Sequence, residues 1–260
     1  MKIAVCVKQV PDSWAEKKLR DSDALLDRES VESVMNELDE YAVEEALKIV
    51  EANGSGEIVI VTMGPQRADE AIRKSLSMGA DSGIHLVDAG LAGSDAIATS
   101  YALAKVIEGR AFDLIIFGSE STDARMSVVP AMVAERLGLA QLTFANKVEV
   151  AGGSVTIDRV GDNGIETVTA SLPAVVSVVE KINEPRYPSF KGIMGAKKKT
   201  IESLSLADAG LDAGQTGLAA AWSKVDSFAA RPAKAAGVVV QDEGEGGVAI
   251  ADFLDAQKVL

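Results

Sequence analysis

The sequence contains few of the side chains that most enzymes use for chemistry. Its 260 residues include one cysteine, Cys6, and one histidine, His85. A single cysteine excludes an internal disulfide and a thiolate metal cluster within the chain. A single histidine excludes a multi-histidine metal site and weakens any Ser-His-Asp triad. Both residues lie in strand-like patterns, where a small buried cysteine and a packed histidine are the default interpretations. We therefore predict neither a metal site nor a bond-making catalytic residue.

The sequence also has no long hydrophobic run, no excess of positive charge and few aromatic residues. No stretch approaches the ~20 apolar residues needed to cross a bilayer, and the first apolar run, residues 3–7, is too short for a signal peptide. The 26 basic and 39 acidic residues give a net charge of -13, which repels a phosphate backbone. Aromatic residues make up only 4% of the chain, few for a protein that would enclose a flavin alone. The sequence predicts a cytoplasmic protein with no membrane insertion and no nucleic-acid partner.

Short apolar runs alternate with longer amphipathic segments through the first part of the chain. Strands are predicted at residues 2–7, 58–62, 83–87 and 113–117. Helices are predicted at residues 41–50, 66–77 and 95–108, the last capped by Asp95. This alternation is typical of an α/β fold with a mainly parallel, doubly wound sheet.

The pattern changes after Leu139. Short strands are predicted at residues 148–150, 155–159, 167–170 and 174–178, which favours an added antiparallel hairpin or edge addition. Beyond Ile201 the chain is rich in Ala, Gly and Asp, with helical period only near residues 217–225 and 250–259. We predict a nucleotide-binding α/β domain at residues 1–200 and a C-terminal arm at residues 201–260 that needs another surface to lie on.

The ends of the predicted strands are the candidate binding sites. The sequence has no P-loop and no dinucleotide fingerprint, but ligands of doubly wound sheets bind outside the carboxyl ends of strands. The loop at residues 118–129 offers Gly118 for close approach, four hydroxyls and Arg125 for a phosphate. An ordinary polar loop with Ser127 as helix cap is the alternative. An acid/base pair of Glu120 and Asp123 is a further one.

One long segment resembles a known family. Residues 183–199, with Asn-Glu-Pro-Arg-Tyr followed by Ile-Met-Gly-Ala-Lys-Lys-Lys, resemble a stretch of electron-transfer flavoprotein beta subunits. Further stretches agree in order at residues 6–12, Asn36 with 41–46, 77–81 and 172–176. The loop at residues 122–130 departs from the Asp-Gly-Asp-Thr-Gly-Gln type that many relatives carry.

The resemblance implies an electron shuttle that transforms no metabolite itself. It implies a sheet of the adenine-nucleotide alpha-hydrolase, Rossmann-like type, and a heterodimer in which an alpha subunit holds most of one FAD. The beta subunit would hold AMP, and the arm would pack on the alpha subunit. Flavin dehydrogenases would donate electrons, and an acceptor oxidoreductase would receive them.

The same resemblance assigns site residues to this chain. It implies AMP contacts at Cys6, Asn36, Glu37, Leu38, Asp39, Met63, Gly118, Ser119, Glu120, Ser121, Thr122, Asp123, Ala124, Arg125, Met126, Ser127, Val128 and Val129. It implies a recognition loop at residues 183–196 that docks dehydrogenases through Tyr187, Pro188, Ser189, Phe190, Lys191, Ile193 and Met194. Phe190 would be the apolar anchor, whereas the alternative is that it tucks under its own loop.

Two other functions compete with this interpretation. A bifurcating relative would hold a second FAD in place of AMP. A stand-alone adenine-nucleotide-binding stress or signalling protein of similar fold would be stable without a flavin partner. The identity of the bound nucleotide distinguishes all three.

Overall fold

The computed structural model describes residues 1–230, 232–234, 236–237 and 239–259. The chain divides into two compact units, Met1–Asp226 and Ser227–Leu260. Across these described ranges, no helix has the length and apolar character required to span a membrane.

The described residues form twelve strands and seven α-helices. The strands are β1 Lys2–Cys6, β2 Gln9–Pro11, β3 Ser33–Met35, β4 Glu57–Met63, β5 Ser82–Leu86, β6 Leu114–Gly118, β7 Ala140–Ala145, β8 Lys147–Ala151, β9 Ser154–Gly161, β10 Gly164–Ser171, β11 Ala174–Val178 and β12 Ile201–Leu204. The helices are α1 Glu37–Asn53, α2 Asp69–Met78, α3 Ala96–Ile107, α4 Val129–Leu137, α5 Phe190–Ala196, α6 Gly217–Ala220 and α7 Gly246–Ala256.

A seven-stranded sheet forms the centre of the first unit. Its strand order is β12-β5-β4-β1-β6-β11-β7, and every neighbouring pair is parallel. Strand β6 is buried along its whole length, as expected for a parallel strand covered on both faces. The predicted α/β class with a mainly parallel sheet is confirmed.

Alternate residues of β1 pack into two separate apolar cores, one on each face of the sheet. Ile3 and Val5 of β1 join the cluster packed with α1 and α2, whereas Ala4 and Cys6 join the cluster packed with α3 and α4. The two faces of the sheet are therefore each covered by helices, which is the doubly wound arrangement.

The antiparallel addition is a three-stranded sheet in the order β10-β9-β8. Its turns lie at the predicted glycine positions, Gly152 with Gly153 and Gly164. The grouping of residues 174–178 with this addition was wrong, because they form β11, an interior parallel strand between β6 and β7. A short apolar run fits either sheet type, and only long-range pairing decides between them.

The first part of the predicted arm belongs to the first unit. Strand β12 pairs in parallel with β5 at one edge of the main sheet, and Leu204 and Leu211 are part of the core. The second unit contains α7, on which Val248, Ile250 and Phe253 are about 60% exposed (59%, 62% and 60%). That residues 201–260 pack on an alpha subunit stays a prediction.

Candidate functional site

Three of the predicted site residues lie at the carboxyl-terminal edge of the main sheet, where its parallel strands end. The neighbouring strands β4, β1 and β6 end in Met63, Cys6 and Gly118, with Cys6 paired to Val61 on one side and Phe117 on the other. Cys6 is buried and Met63 packs against the same apolar cluster. Because parallel strands end together, this edge is where a doubly wound sheet binds its ligand.

The start of α1 packs directly against this edge. Asp39 is buried, and one of its carboxylate oxygens accepts a hydrogen bond from the Lys8 backbone N–H at 2.8 Å. A Cβ on Gly118 would lie 2.5 Å from the other Asp39 oxygen and 2.8 Å from the backbone of Leu38. Glycine at the end of β6 is therefore required for α1 to approach this closely.

Asn36 ties α1 to the loop that follows β6. This β6–α4 loop comprises residues 119–128. The fully buried Asn36 side chain donates to the carbonyl of Glu120 at 2.9 Å and accepts from the N–H of Thr122 at 3.0 Å. The Ser127 hydroxyl donates to the Glu120 carboxylate at 3.0 Å. The carboxamide satisfies one acceptor and one donor of the loop backbone, which fixes its first half.

Asp123 lies at the centre of an ion-pair cluster in the same loop. Its side chain is 2% exposed; Lys8 Nζ contacts one carboxylate oxygen at 2.7 Å and Arg28 Nη2 contacts the other at 2.8 Å. Burial alone would raise the pKa of Asp123, but the Lys8 ammonium and the Arg28 guanidinium lower it to about 2. Asp123 thus stays ionised at physiological pH, which argues against its role as a general acid.

The pKa of Asp39, the second buried aspartate at the strand ends, shifts in the opposite direction. Burial raises the pKa of Asp39 to about 7, although hydrogen bonds from the Lys8 backbone and Asn36 work against that rise. Burial and the adjacent Asp39 charge also raise the pKa of the Cys6 thiol, so Cys6 is an inert core residue. His85 is fully buried with Nε2 3.2 Å from the Gly64 carbonyl, which confirms that it is a packed histidine.

The end of the β6–α4 loop presents backbone N–H groups. Arg125 and Ser127 adopt the left-handed region, with φ of 50° and 56°, a conformation uncommon outside glycine. Helix α4 then begins with no side-chain cap and with Pro130 in its first turn. The unpaired N–H groups and the helix dipole of such a terminus favour an anion. The alternative of a Ser127 cap is wrong, and the residues present fit a phosphate group.

Some predicted site residues lie away from the group of contacting residues at the strand ends. The exposed side chain of Glu37 accepts from the Ser13 hydroxyl at 3.0 Å. Ala124, Arg125 and Met126 are exposed. Cys6, Asn36, Asp39, Gly118, Glu120, Ser121, Thr122 and Asp123 are brought together by direct contacts or strand pairing.

Two residues of the cluster had not been predicted. Lys8 lies two residues after the end of β1, so its position near a strand end is a signal that could have identified it. Arg28 lies 95 residues from Asp123 in sequence, and nothing in the sequence around it indicates the pairing.

The recognition loop forms a separate exposed surface on the same unit. Tyr187 is 98% exposed and Phe190 81%, while Ile193 and Met194 are 47% and 48% exposed. Ser189 caps α5 by accepting from the N–H of Gly192 at 3.1 Å. Phe190 therefore does not tuck under its own loop. Four large apolar side chains exposed within eight residues of one loop are typical of a binding surface.

Two carboxylates of α1 hold this loop in place, Glu44 from a buried position and Glu51 from an exposed one. Glu44, 7% exposed as a side chain, accepts from Arg186 Nε at 2.8 Å and from Arg186 Nη2 at 2.8 Å, and Glu51 accepts from Arg186 Nη1 at 2.6 Å. Hydrogen bonds to Glu44 and Glu51 raise the pKa of Arg186 further. A cleft of about 430 Å³, lined in part by Met78, Arg186 and Tyr187, lies between α2 and the loop, away from the strand ends.

Comparison with known proteins agrees with this architecture. The model of the electron transfer flavoprotein domain family matches residues 23–209. The electron transfer flavoprotein subunit beta of Mycobacterium tuberculosis is 52% identical, with 99% of each chain covered, as is that of Mycobacterium leprae. The subunit of the same name from Megasphaera elsdenii is 35% identical over the whole of both chains. The chain therefore belongs to the family of electron-transfer flavoprotein beta subunits.

Proposed function

We propose that this chain binds AMP at the carboxyl ends of β1, β4 and β6 and docks flavin dehydrogenases through its recognition loop. In this proposal an alpha subunit holds most of the FAD, which accepts electrons from the dehydrogenases and passes them to an acceptor oxidoreductase. The chain acts as an electron-carrier subunit and makes or breaks no bond of a metabolite.

The observation that carries the AMP part is the convergence at one sheet edge. Gly118 lets the start of α1 pack against the strand ends, Asn36 fixes the β6–α4 loop, and the uncapped start of α4 supplies N–H groups. The backbone of Ser127, Val128 and Val129 would hold the phosphate through these groups. AMP itself supplies no redox chemistry, so the role of these residues is to bind and orient it.

The docking part rests on the exposure and anchoring of the recognition loop. Its apolar side chains, above all Tyr187 and Phe190, project from a backbone that Arg186 ties to Glu44 and Glu51. Rigidly presented aromatic side chains bind partners at a low cost in conformational entropy. A loop of this kind suits an electron carrier that must meet several dehydrogenases and release each of them.

Identification of the nucleotide tests the proposal. The heterodimer is purified, denatured, and its released nucleotides are separated and weighed by mass spectrometry. We expect one FAD and one AMP for each heterodimer. Two FAD and no AMP would instead identify a bifurcating relative. A chain that purifies as a stable monomer with AMP and without a flavin partner would identify a stand-alone binding protein.

A further inference from the structure

The Lys8–Asp123–Arg28 cluster joins three segments that are far apart in sequence. Lys8 follows β1, Arg28 lies between β2 and β3, and Asp123 lies in the β6–α4 loop. Each carboxylate oxygen of Asp123 accepts from a different cation, at 2.7 and 2.8 Å. Lys8 Nζ also donates to the Ser121 hydroxyl at 3.2 Å. Hydrogen bonds in which both groups are charged are among the strong ones in proteins.

The cluster is asymmetric in its exposure to water. The Asp123 carboxylate is 2% exposed, whereas the Lys8 and Arg28 side chains are 37% and 34% exposed. A buried carboxylate needs both partners to offset its lost hydration. The cations can still be hydrated, so the cluster fixes Asp123 and the backbone that carries it more firmly than it fixes Lys8 or Arg28.

The backbone next to Asp123 continues into the strained half of the loop. The N–H groups of Ala124 and Arg125 bond the Ser121 carbonyl at 3.3 and 2.8 Å, forming a tight turn. The left-handed Arg125 and Ser127 follow, and the uncapped start of α4 comes after them. A strained backbone persists only where its surroundings hold it. The anchors on the first half of the loop are Asn36 and the Asp123 cluster.

We infer that Asp123 is a positioning residue for the phosphate end of the nucleotide site. Clamped by Lys8 and Arg28, it holds the β6–α4 loop in the conformation that directs the N–H groups at the start of α4 toward a phosphate. Asp123 itself does not contact the nucleotide. The inference rests on the proposed AMP site and adds the residues that shape it.

A competing arrangement makes the opposite prediction. If Asp123 merely occupied the place of a phosphate between Lys8 and Arg28, its neutralisation would free two cations and strengthen the binding of AMP. If the cluster only supported the fold, its loss would weaken all ligands alike. Comparison of AMP with adenosine, which lacks the phosphate, separates these cases.

The test is the Asp123→Asn variant of the purified heterodimer, freed of its bound AMP before the binding of labelled AMP and labelled adenosine is measured by equilibrium dialysis. We expect the affinity for AMP to fall roughly tenfold or more. This is the loss typical of one charge-assisted hydrogen bond, here one between a displaced loop N–H group and the phosphate. The affinity for adenosine should stay within about twofold, because its recognition does not use the phosphate-binding N–H groups. Unchanged or tighter AMP binding, or an equal loss for both ligands, overturns the inference.

Two further variants keep the test decisive. Arg28→Met removes one partner from a partly exposed position and should reproduce the selective loss of AMP, even if Asp123→Asn folds poorly. Arg20→Met is the matched control, because Arg20 pairs with Asp23 in the same segment between β2 and β3, outside the cluster. It should bind both ligands like the unaltered protein. Absence of AMP binding by the unaltered heterodimer would refute the proposed function itself, whereas normal AMP binding by Arg28→Met would refute only the inference.

Discussion

Phe190 begins α5 and is 81% exposed next to polar and small neighbours in the recognition loop. Under the proposed docking role, such an apolar anchor is worth ~2 kcal/mol or more when truncated. Phe190→Ala should therefore lower dehydrogenase-dependent reduction of the flavin roughly thirtyfold at limiting protein concentrations. Chemical reduction by dithionite, the content of FAD and AMP, and thermal stability should not change. A variant that loses stability but couples normally to its dehydrogenases would contradict the docking role.

Asp39 gives the free energy of unfolding a pH dependence near neutrality. Its pKa is about 7 in the folded chain because of burial, against ~3.9 for an unfolded aspartate. Between these values the folded state binds the extra proton, so the stabilisation present at low pH is lost as the pH rises through 7. Asp39→Asn should show a smaller loss of stability between pH 5 and pH 8 than the unaltered chain.

Urea unfolding at the two pH values measures this difference. Asp95→Asn is the matched control: although burial raises the pKa of Asp95, hydrogen bonds from the Ala98 and Ser223 backbone hold that pKa below its usual value, so the group stays ionised throughout the range. His85, whose pKa is lowered by burial, affects all three proteins alike. An Asp39→Asn variant with the full pH dependence of the unaltered chain would show that another group is responsible.

At the scale of single elements, the close packing of α5 against the end of α2 depends on Gly192, which has no side chain. A Cβ on Gly192 would lie 2.4 Å from the backbone carbonyl oxygen of Ser77, whereas a Cβ on Gly195 would meet nothing within 4 Å. Backbone atoms cannot yield as a flexible side chain can, so Gly192→Ala should displace α5 and lower the free energy of unfolding by about 1–3 kcal/mol. Gly195→Ala should be neutral or stabilising by up to about 1 kcal/mol.

Chemical denaturation of the two alanine variants measures these effects, and hydrogen exchange locates them. We expect faster exchange in Gly192→Ala for the amides of α5 and the C-terminal end of α2. The two variants add the same methyl group to the same helix, so equal stability would mean that the contact with Ser77 does not limit the position of α5.

The elements that the sequence predicted are those with local signals. Strands β1, β4 and β6 are largely continuous apolar runs, and Asp95 caps α3 as expected by accepting from the Ala98 N–H at 3.0 Å. Strand β7 was not predicted, because only Leu142 and Ala145 of its residues are buried. Strand β12 was not predicted either, since its partner β5 lies more than a hundred residues earlier and only Leu204 of its four residues is buried.

In the candidate site, too, the parts with a local sequence signal could be predicted and the other parts could not. Gly118 and the hydroxyl-rich loop follow a recognisable buried strand, so their position at the sheet edge could be inferred. The pairing of Arg28 with Asp123 could not, because it depends on how the segment between β2 and β3 folds over the edge. The opposite pKa shifts of Asp39 and Asp123 also have no sequence signal, since burial and nearby cations decide them.

At the scale of the whole molecule, α1 links the two surfaces of the first unit. Its N-terminal end carries Asn36 and Asp39 at the sheet edge, and its later turns carry Glu44 and Glu51 beneath the recognition loop. A helix rises 1.5 Å per residue, so the proposed nucleotide site and docking surface are served by opposite parts of one rigid element. This arrangement keeps the proposed docking loop at a fixed place while leaving the strand ends for the nucleotide.

Among its described residues, the second unit, Ser227–Leu260, buries no side chain. Helix α7 has no buried residue among those described and exposes Val248, Ile250 and Phe253 along its length. An amphipathic helix gains most of its stability from packing of its apolar face, so we expect the alpha subunit to supply that surface.

Limited proteolysis with thermolysin, which cleaves beside such apolar residues, should remove the segment after Asp226 rapidly from the isolated subunit. In the heterodimer the same bonds should be cut at least about tenfold more slowly, because cleavage requires local opening of the docked helix. The sheet residues of the first unit should resist the protease in both samples and serve as the internal control. Equal protection of α7 in the isolated subunit and the heterodimer would show that the arm does not depend on the alpha subunit for its order.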